Sequence, residues 1–147
     1  MDETPTSYER NQALYAHISG LLALTGLPFA HIAGPLVFYL MARNHPSKFV
    51  LDNSREALNF QITSGIVMFA AIVAYIVAFV RLMLHAPLAR DATPPPAFFA
   101  GFATAFAFLA IALLYALFDF ICVVVASVAV SKGRSYRYPL SIRFVKQ

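Results

Sequence analysis

The chain has 147 residues, of which 60% are hydrophobic and only 12% are charged, and its mean hydropathy is +0.69. A soluble domain needs more charge to cover its surface, so this composition excludes an ordinary soluble protein and indicates a small membrane protein. The basic residues that give the formal net charge of +4 flank apolar stretches, so no nucleic acid is expected as a partner. The single cysteine, Cys122, excludes an internal disulfide.

The first apolar segment, from Ala13 to Met41, carries no formal charge but is interrupted at Pro28 and at Gly34-Pro35. Proline removes a backbone donor and kinks or ends a helix. The segment is predicted either to cross the membrane once as a kinked helix or to form a re-entrant hairpin of two short helices, and we favour the hairpin. Its two histidines, His17 and His31, are expected to hydrogen-bond carbonyl groups freed by the breaks rather than to act on a ligand.

A polar approach leads into the second apolar segment within the stretch NHPSKFVLDNSREALNFQITSG, residues 44–65. Asn53 is predicted to cap a helix, with Glu56 at the third helical position as in a capping box. Helical spacing then separates two polar faces, with Glu56, Asn59 and Thr63 on one and Gln61 and Gly65 on the other.

Two further apolar segments are predicted to cross the membrane. The second segment runs from Ile62 to Val80 without a charge, and the third runs from Ala97 to Val130 with Asp119 as its one charge. The fold class is therefore an all-α membrane protein with three long hydrophobic segments, which make three crossings, or four helices if the first segment is a re-entrant hairpin. The segment between Arg81 and Pro96, which includes Arg90, is predicted to be an external connector.

Asp119 lies deep in the third segment, where an isolated charge is costly, so it needs polar partners. The predicted intramembrane polar cluster consists of Asn59, Gln61, Thr63 and Asp119. Two interpretations are open, a site for a proton or cation and a buried polar clamp between helices, and the clamp is favoured.

The C-terminal tail, residues 132–147, alternates aromatic or apolar with polar or basic residues around Pro139. This period of two predicts an extended segment at the headgroup boundary, with its arginines directed toward anionic lipid or a protein partner. The candidate cytoplasmic contact surface combines this tail with the polar stretch before the second segment and consists of Asn53, Arg55, Glu56, Arg137, Tyr138 and Arg143.

Three separated motifs, HISGLLALTGLPFAHIAGPLVFYLMAR, FVLDNSREALNFQITSG and YRYPLSIRFVK, occur in this order over most of Tyr15 to Lys146. Together they resemble an uncharacterised family of small bacterial multi-pass membrane proteins. That family is distantly similar to the small membrane subunit of the chloroplast inner-envelope protein translocon. The resemblance implies a helical membrane fold and is compatible with a role in protein translocation or membrane-complex assembly.

The distribution of basic residues predicts that the loop over residues 43–58 and the C-terminus are cytoplasmic. The family resemblance implies that the membrane is a bacterial inner membrane. The domains expected are a mobile acidic N-terminus over 1–12, a helical transmembrane domain over 13–131 and a basic aromatic tail over 132–147.

Known catalytic, metal-binding and phosphate-binding motifs are missing from the sequence, so no enzyme, cofactor or metal is expected. The function predicted is that of a non-enzymatic subunit or scaffold of a membrane complex, whose partners are lipid and other membrane proteins or further copies of itself. The alternative is a small oligomeric channel or carrier for ions, protons or solutes that uses Asp119.

Overall fold

The computed structural model describes residues 4–84, 86 and 93–146, and every regular element in these ranges is a helix. This confirms the predicted all-α class. The predicted connector after Arg81 lies mostly outside the described residues, and Arg90 with it. In chain order the elements are α1 (Ser7–Ile18), a 3₁₀ helix (Ser19–Thr25), α2 (Ala30–Ala42), α3 (Lys48–Leu84) and α4 (Pro96–Ser131).

Helix α1 begins within the segment predicted to be mobile. Thr6 is the N-cap, and its hydroxyl accepts a hydrogen bond from the Glu9 backbone N–H at 3.3 Å. The Glu9 carboxylate accepts one from the Thr6 backbone N–H at 2.7 Å. This reciprocal pair is a capping box, which satisfies donors that a helix N-terminus otherwise leaves free.

The first apolar segment folds back on itself as a helical hairpin. Gly26 (φ 74°) ends the 3₁₀ helix and Phe29 (φ 60°) precedes α2, so the chain reverses around Pro28. The predicted break at Gly34-Pro35 is wrong, because Pro35 lies inside α2. Proline removes one helix hydrogen bond, but here the flanking turns are held by packing of α2 against α1 and the 3₁₀ helix.

Helix α3 starts earlier than predicted, which also corrects the predicted loop over residues 43–58. The first helical bond runs from the Leu51 N–H to the Ser47 carbonyl at 3.3 Å, directly after Pro46. Asn53 is therefore inside the helix, where its side-chain N–H donates to the Phe49 carbonyl at 2.8 Å. The loop is limited to the residues between α2 and α3, because proline stops helix only on its N-terminal side.

Among the residues that the structure describes, two helices are long and apolar enough to cross a membrane, not the predicted three segments. These are α3 with 37 residues and α4 with 36. At 1.5 Å per residue each extends for about 55 Å, more than the roughly 30 Å hydrocarbon core. Only 11% of the most apolar stretch of each helix is buried, so neither resembles the core helix of a soluble protein.

The contacts divide the chain into two units. The first unit comprises the residues up to Gly65 and from Asp119 onward, and it contains the hairpin, the start of α3, the end of α4 and the C-terminal tail. The second unit, residues 66–118, consists of the remaining parts of α3 and α4. Within it, a side chain added at Gly101 would meet the Leu82 backbone at 3.3 Å, so the two helices approach closely there.

Candidate functional site

The C-terminal tail is folded onto the polar start of α3. Gly133 (φ 76°) ends α4, and the Arg134 N–H donates back to the Ala129 carbonyl at 3.1 Å. The described part of the tail contains no helix or strand, and it reverses at Leu140 (φ 59°) instead of continuing as the predicted extended segment. The predicted alternation therefore stops at Leu140, which is 78% exposed whereas Tyr138 is 5% exposed.

A buried histidine connects α1 to the tail. His17 is 1% exposed, and its Nδ1 lies 2.9 Å from the Tyr138 hydroxyl. Its Nε2 lies 3.4 Å from Oδ1 of Asn53 on α3. These partners fit a neutral ring in which Nδ1 accepts from Tyr138 and the Nε2–H donates to Asn53. Burial lowers the pKa of His17 to about 4, so the ring is neutral near pH 7.

The Tyr138 ring packs against two other rings. It stacks on Phe60 of α3 with ring centroids 4.0 Å apart and planes 5° apart, and its centroid lies 5.5 Å from that of His17. Burial raises the pKa of Tyr138 well above its ordinary value, so the hydroxyl remains a hydrogen-bond donor. Tyr138 therefore holds the tail in place through both its stacked ring and its hydroxyl hydrogen bond.

Asn53 joins the beginning of the tail to α3. Its Oδ1 accepts from the Tyr136 backbone N–H at 3.3 Å. Its Nδ2 donates to the Ser135 hydroxyl at 3.4 Å in addition to the Phe49 carbonyl. Asn53 is 1% exposed, and with these partners both ends of its amide are satisfied, as a buried amide requires.

The end of the tail is held through its backbone. The Asn59 amide accepts from the Val145 N–H at 2.8 Å and donates to the Val145 carbonyl at 3.1 Å. The Thr63 hydroxyl accepts from the Ile142 N–H at 3.0 Å and donates to the Asn59 carbonyl at 2.8 Å. The polar face predicted from helical spacing is therefore the surface on which the tail docks.

A charged cleft of about 450 Å³ lies between α3 and the tail. Two ion pairs border it, Arg55 to Asp52 at 3.1 Å and Arg143 to Glu56 at 3.3 Å. Nε of Arg55 and Oε2 of Glu56 are buried and make no hydrogen bond within the described part of the chain. The residues that line the cleft are Asp52, Asn53, Arg55, Glu56, Asn59, Ser135, Tyr136, Arg137, Arg143, Val145 and Lys146.

The six residues of the predicted contact surface lie together in the first unit. Arg55, Glu56, Arg137 and Arg143 line the charged cleft beside Asn53. Tyr138 is instead buried against α1 and α3, where it holds the tail in place. Sequence reasoning gave no partner for Tyr138, because His17 is 121 positions away in the chain.

The predicted intramembrane cluster is divided between two faces of α3. Asn59 and Thr63 contact the tail rather than Asp119. Asp119 accepts a hydrogen bond from the Ser64 hydroxyl at 2.6 Å, and His31 and Gln61 are near enough to interact with its carboxyl group. Ser64 was missed, although its position three residues after Gln61 on the same helix face was a usable signal.

The comparison with known families matches residues 8–145 to the MamF/MmsF family, described as a magnetosome magnetite crystal formation protein family. The chain belongs to the MamF/MmsF family. This match and the two apolar helices identify a membrane protein. They give no support to the predicted likeness to a translocon subunit. No curated protein and no solved structure matches the chain.

The matched region of this MamF/MmsF protein includes the whole docking arrangement. It begins within the first turn of α1 and ends at Val145, the last tail residue bonded to Asn59. His17, the polar face of α3 and the charged cleft up to that point therefore lie within the family region.

Proposed function

We propose that this MamF/MmsF protein is a non-enzymatic subunit or scaffold of the magnetosome membrane that contributes to magnetite crystal formation. It does so by presenting a fixed charged surface to other membrane proteins or to further copies of itself. The family description supplies the process. The observation that carries the structural role is the docked tail, whose bonds to His17, Asn53 and Asn59 hold the charged cleft open in one arrangement.

The use of the polar side chains supports a structural role. His17, Asn53, Asn59 and Thr63 are all buried, and each bonds to the tail. Groups committed to such contacts hold one conformation, because breaking a contact leaves a buried donor or acceptor unpaired. Arg137 and Arg143 remain exposed on the tail beside the cleft, where they are available to a partner.

Photocrosslinking in cells that form magnetite tests this proposal. A photoreactive amino acid is placed at Arg137, with a second at Phe106 in the other unit as the control position. A distinct membrane protein captured from Arg137 but not from Phe106 supports the subunit role, and capture of further copies of this chain supports a homo-oligomeric scaffold. If no protein is captured and an Arg137→Glu variant forms crystals of unchanged size and number, the proposal is wrong.

The second candidate is a small oligomeric channel or carrier, favoured by the polar group around Asp119. The 2.6 Å bond to Ser64, with Gln61 and His31 nearby, places several polar side chains within the apolar part of the chain. Polar groups in this position often mark ion or proton pathways. Flux across vesicles that contain the protein should then fall in Asp119→Asn, whereas equal flux in both proteins contradicts this candidate.

A further inference from the structure

The charged cleft has more basic than acidic side chains, and both acidic ones are already paired. Asp52 is bonded to Arg55 at 3.1 Å and Glu56 to Arg143 at 3.3 Å. Arg137 and Lys146 also line the cleft and add positive charge beyond these two pairs. The potential in the cleft therefore favours an anionic group.

Two buried atoms that belong to residues lining the cleft indicate the ligand further. Nε of Arg55 is a donor and Oε2 of Glu56 is an acceptor, and neither has a hydrogen-bond partner in the described structure. Although each group is paired through another atom, leaving a buried donor or acceptor atom without a hydrogen bond is costly. A ligand in the cleft satisfies both once the two side chains turn toward it, and it must then present an acceptor to Arg55 and a donor to Glu56. A phosphate group next to a hydroxyl or ammonium group has this combination.

The cleft also lies at a position along α3 that fits the headgroup layer of a membrane. Glu56 precedes Ile62, the start of the uncharged stretch, by less than two helical turns, or about 9 Å. The headgroup layer on each side of the hydrocarbon core has a thickness on the order of 5 to 7 Å. A cavity of about 450 Å³ is within the usual size range of small-molecule sites.

We propose that the charged cleft binds the headgroup of a membrane phospholipid that carries a hydrogen-bond donor beside its phosphate, as in phosphatidylglycerol or phosphatidylethanolamine. The phosphate contacts Arg55 and Arg137, and the hydroxyl or ammonium group donates to Glu56. Phosphatidylcholine has the same phosphate but no such donor, so it is the chemically matched poor ligand. The inference requires residence in a membrane but not the proposed contact with other proteins.

Native mass spectrometry of the full chain in detergent tests this proposal with three lipids of identical acyl chains. Phosphatidylglycerol and phosphatidylethanolamine should remain bound at least about tenfold better than phosphatidylcholine, the usual effect of one hydrogen bond to a charged group. Glu56→Gln should remove most of this discrimination. Equal retention of all three lipids by the wild-type protein overturns the proposal.

Paired charge variants separate a site in the cleft from general attraction to a basic tail. Arg137→Gln with Lys146→Gln should weaken retention of phosphatidylglycerol about tenfold. Lys132→Gln with Arg134→Gln removes the same charge from tail residues that do not line the cleft, and retention should be unchanged. Equal losses in the two double variants show only non-specific attraction and contradict the proposal.

Inorganic phosphate distinguishes a lipid headgroup from free phosphate. Millimolar phosphate should leave bound phosphatidylglycerol in place, because the lipid is also held through its glycerol hydroxyl and its acyl chains. Displacement by phosphate alone would assign the cleft to the free anion and overturn the lipid assignment. None of these outcomes depends on photocrosslinking from Arg137, so this inference and the proposed scaffold role can fail separately.

Discussion

At the scale of single residues, the contact between His17 and Tyr138 matters most for the docking of the tail. Tyr138 supplies a stacked ring and a hydroxyl at one position, and His17 supplies two ring nitrogens with partners on different elements. Removing one atom from this arrangement leaves a buried group without a partner, which costs more than the net value of the hydrogen bond itself.

Tyr138→Phe should lower the free energy of unfolding by about 1 to 2 kcal/mol, because Nδ1 of His17 loses its donor while the stacking on Phe60 persists. Thermal unfolding in detergent measures this change. Tyr136→Phe is the matched control, since it removes the same atom from a half-buried neighbouring ring. Equal effects from the two variants contradict the assigned bond.

The buried His17 also predicts a dependence on pH. Its pKa is about 4 in the fold and 6.5 ordinarily, so between these values the unfolded chain binds a proton that the folded chain does not. The free energy of unfolding therefore has its full value above pH 6.5 and decreases as the pH falls toward 4. The total decrease due to His17 is on the order of 3 kcal/mol.

Unfolding midpoints measured across this range should fall in the wild type and change less in His17→Gln. His45→Gln serves as the control, since His45 is a half-buried loop residue. If His17→Gln retains the full dependence on pH, other groups cause it and the role given to His17 is wrong.

At the scale of elements, close helix contacts explain where glycine is required. A Cβ atom at Gly34 would lie 2.8 Å from Cβ and 2.9 Å from the backbone oxygen of Ser19. Gly34→Ala should therefore destabilise the hairpin by about 1 to 3 kcal/mol, even though alanine is the better helix former. Ser19→Gly in the same chain should recover part of the loss in a detergent unfolding experiment. A stabilising Gly34→Ala variant would contradict this contact.

Sequence periodicity correctly predicted which residues share a face of α3, but it did not predict which segment packs against that face. The spacing of Glu56, Asn59 and Thr63 placed them on one face correctly, because helical geometry is local. That the tail docks on this face depends on the reversal at Leu140, where positive φ is not expected of a leucine. The helix start at Lys48 was missed because Asn53 has the chemistry of a cap but is satisfied inside the helix.

At the scale of the whole molecule, composition predicted the helical membrane class but not the number of crossings. The uncharged stretch from Ala13 to Met41 contains enough residues to cross a membrane as one helix. The turn at Gly26 to Phe29, however, divides it into helices that are each too short to do so. If α3 and α4 each cross the membrane once, the segments before α3 and after α4 are expected to lie on the same side.

Cysteine labelling tests this arrangement on a Cys122→Ser background. Cysteines introduced at Asn11, Asn44 and Lys132 should react with an impermeant reagent from one side, and a cysteine at Thr93 from the other. From the positive-inside bias we expect the first side to be the cytoplasm. Asn11 decides about the hairpin, since labelling together with Thr93 would mean that the first segment crosses the membrane.

The docked tail also determines when the protein can finish folding. His17 and Asn53 form hydrogen bonds with Ser135, Tyr136 and Tyr138 of the tail. These bonds can form only after nearly all of the chain has left the ribosome. Docking of the tail is then the last step of assembly, after both long helices have been made. A nascent chain stalled before Ser135 should be cleaved in the hairpin by added protease, and release of the complete chain should end that sensitivity.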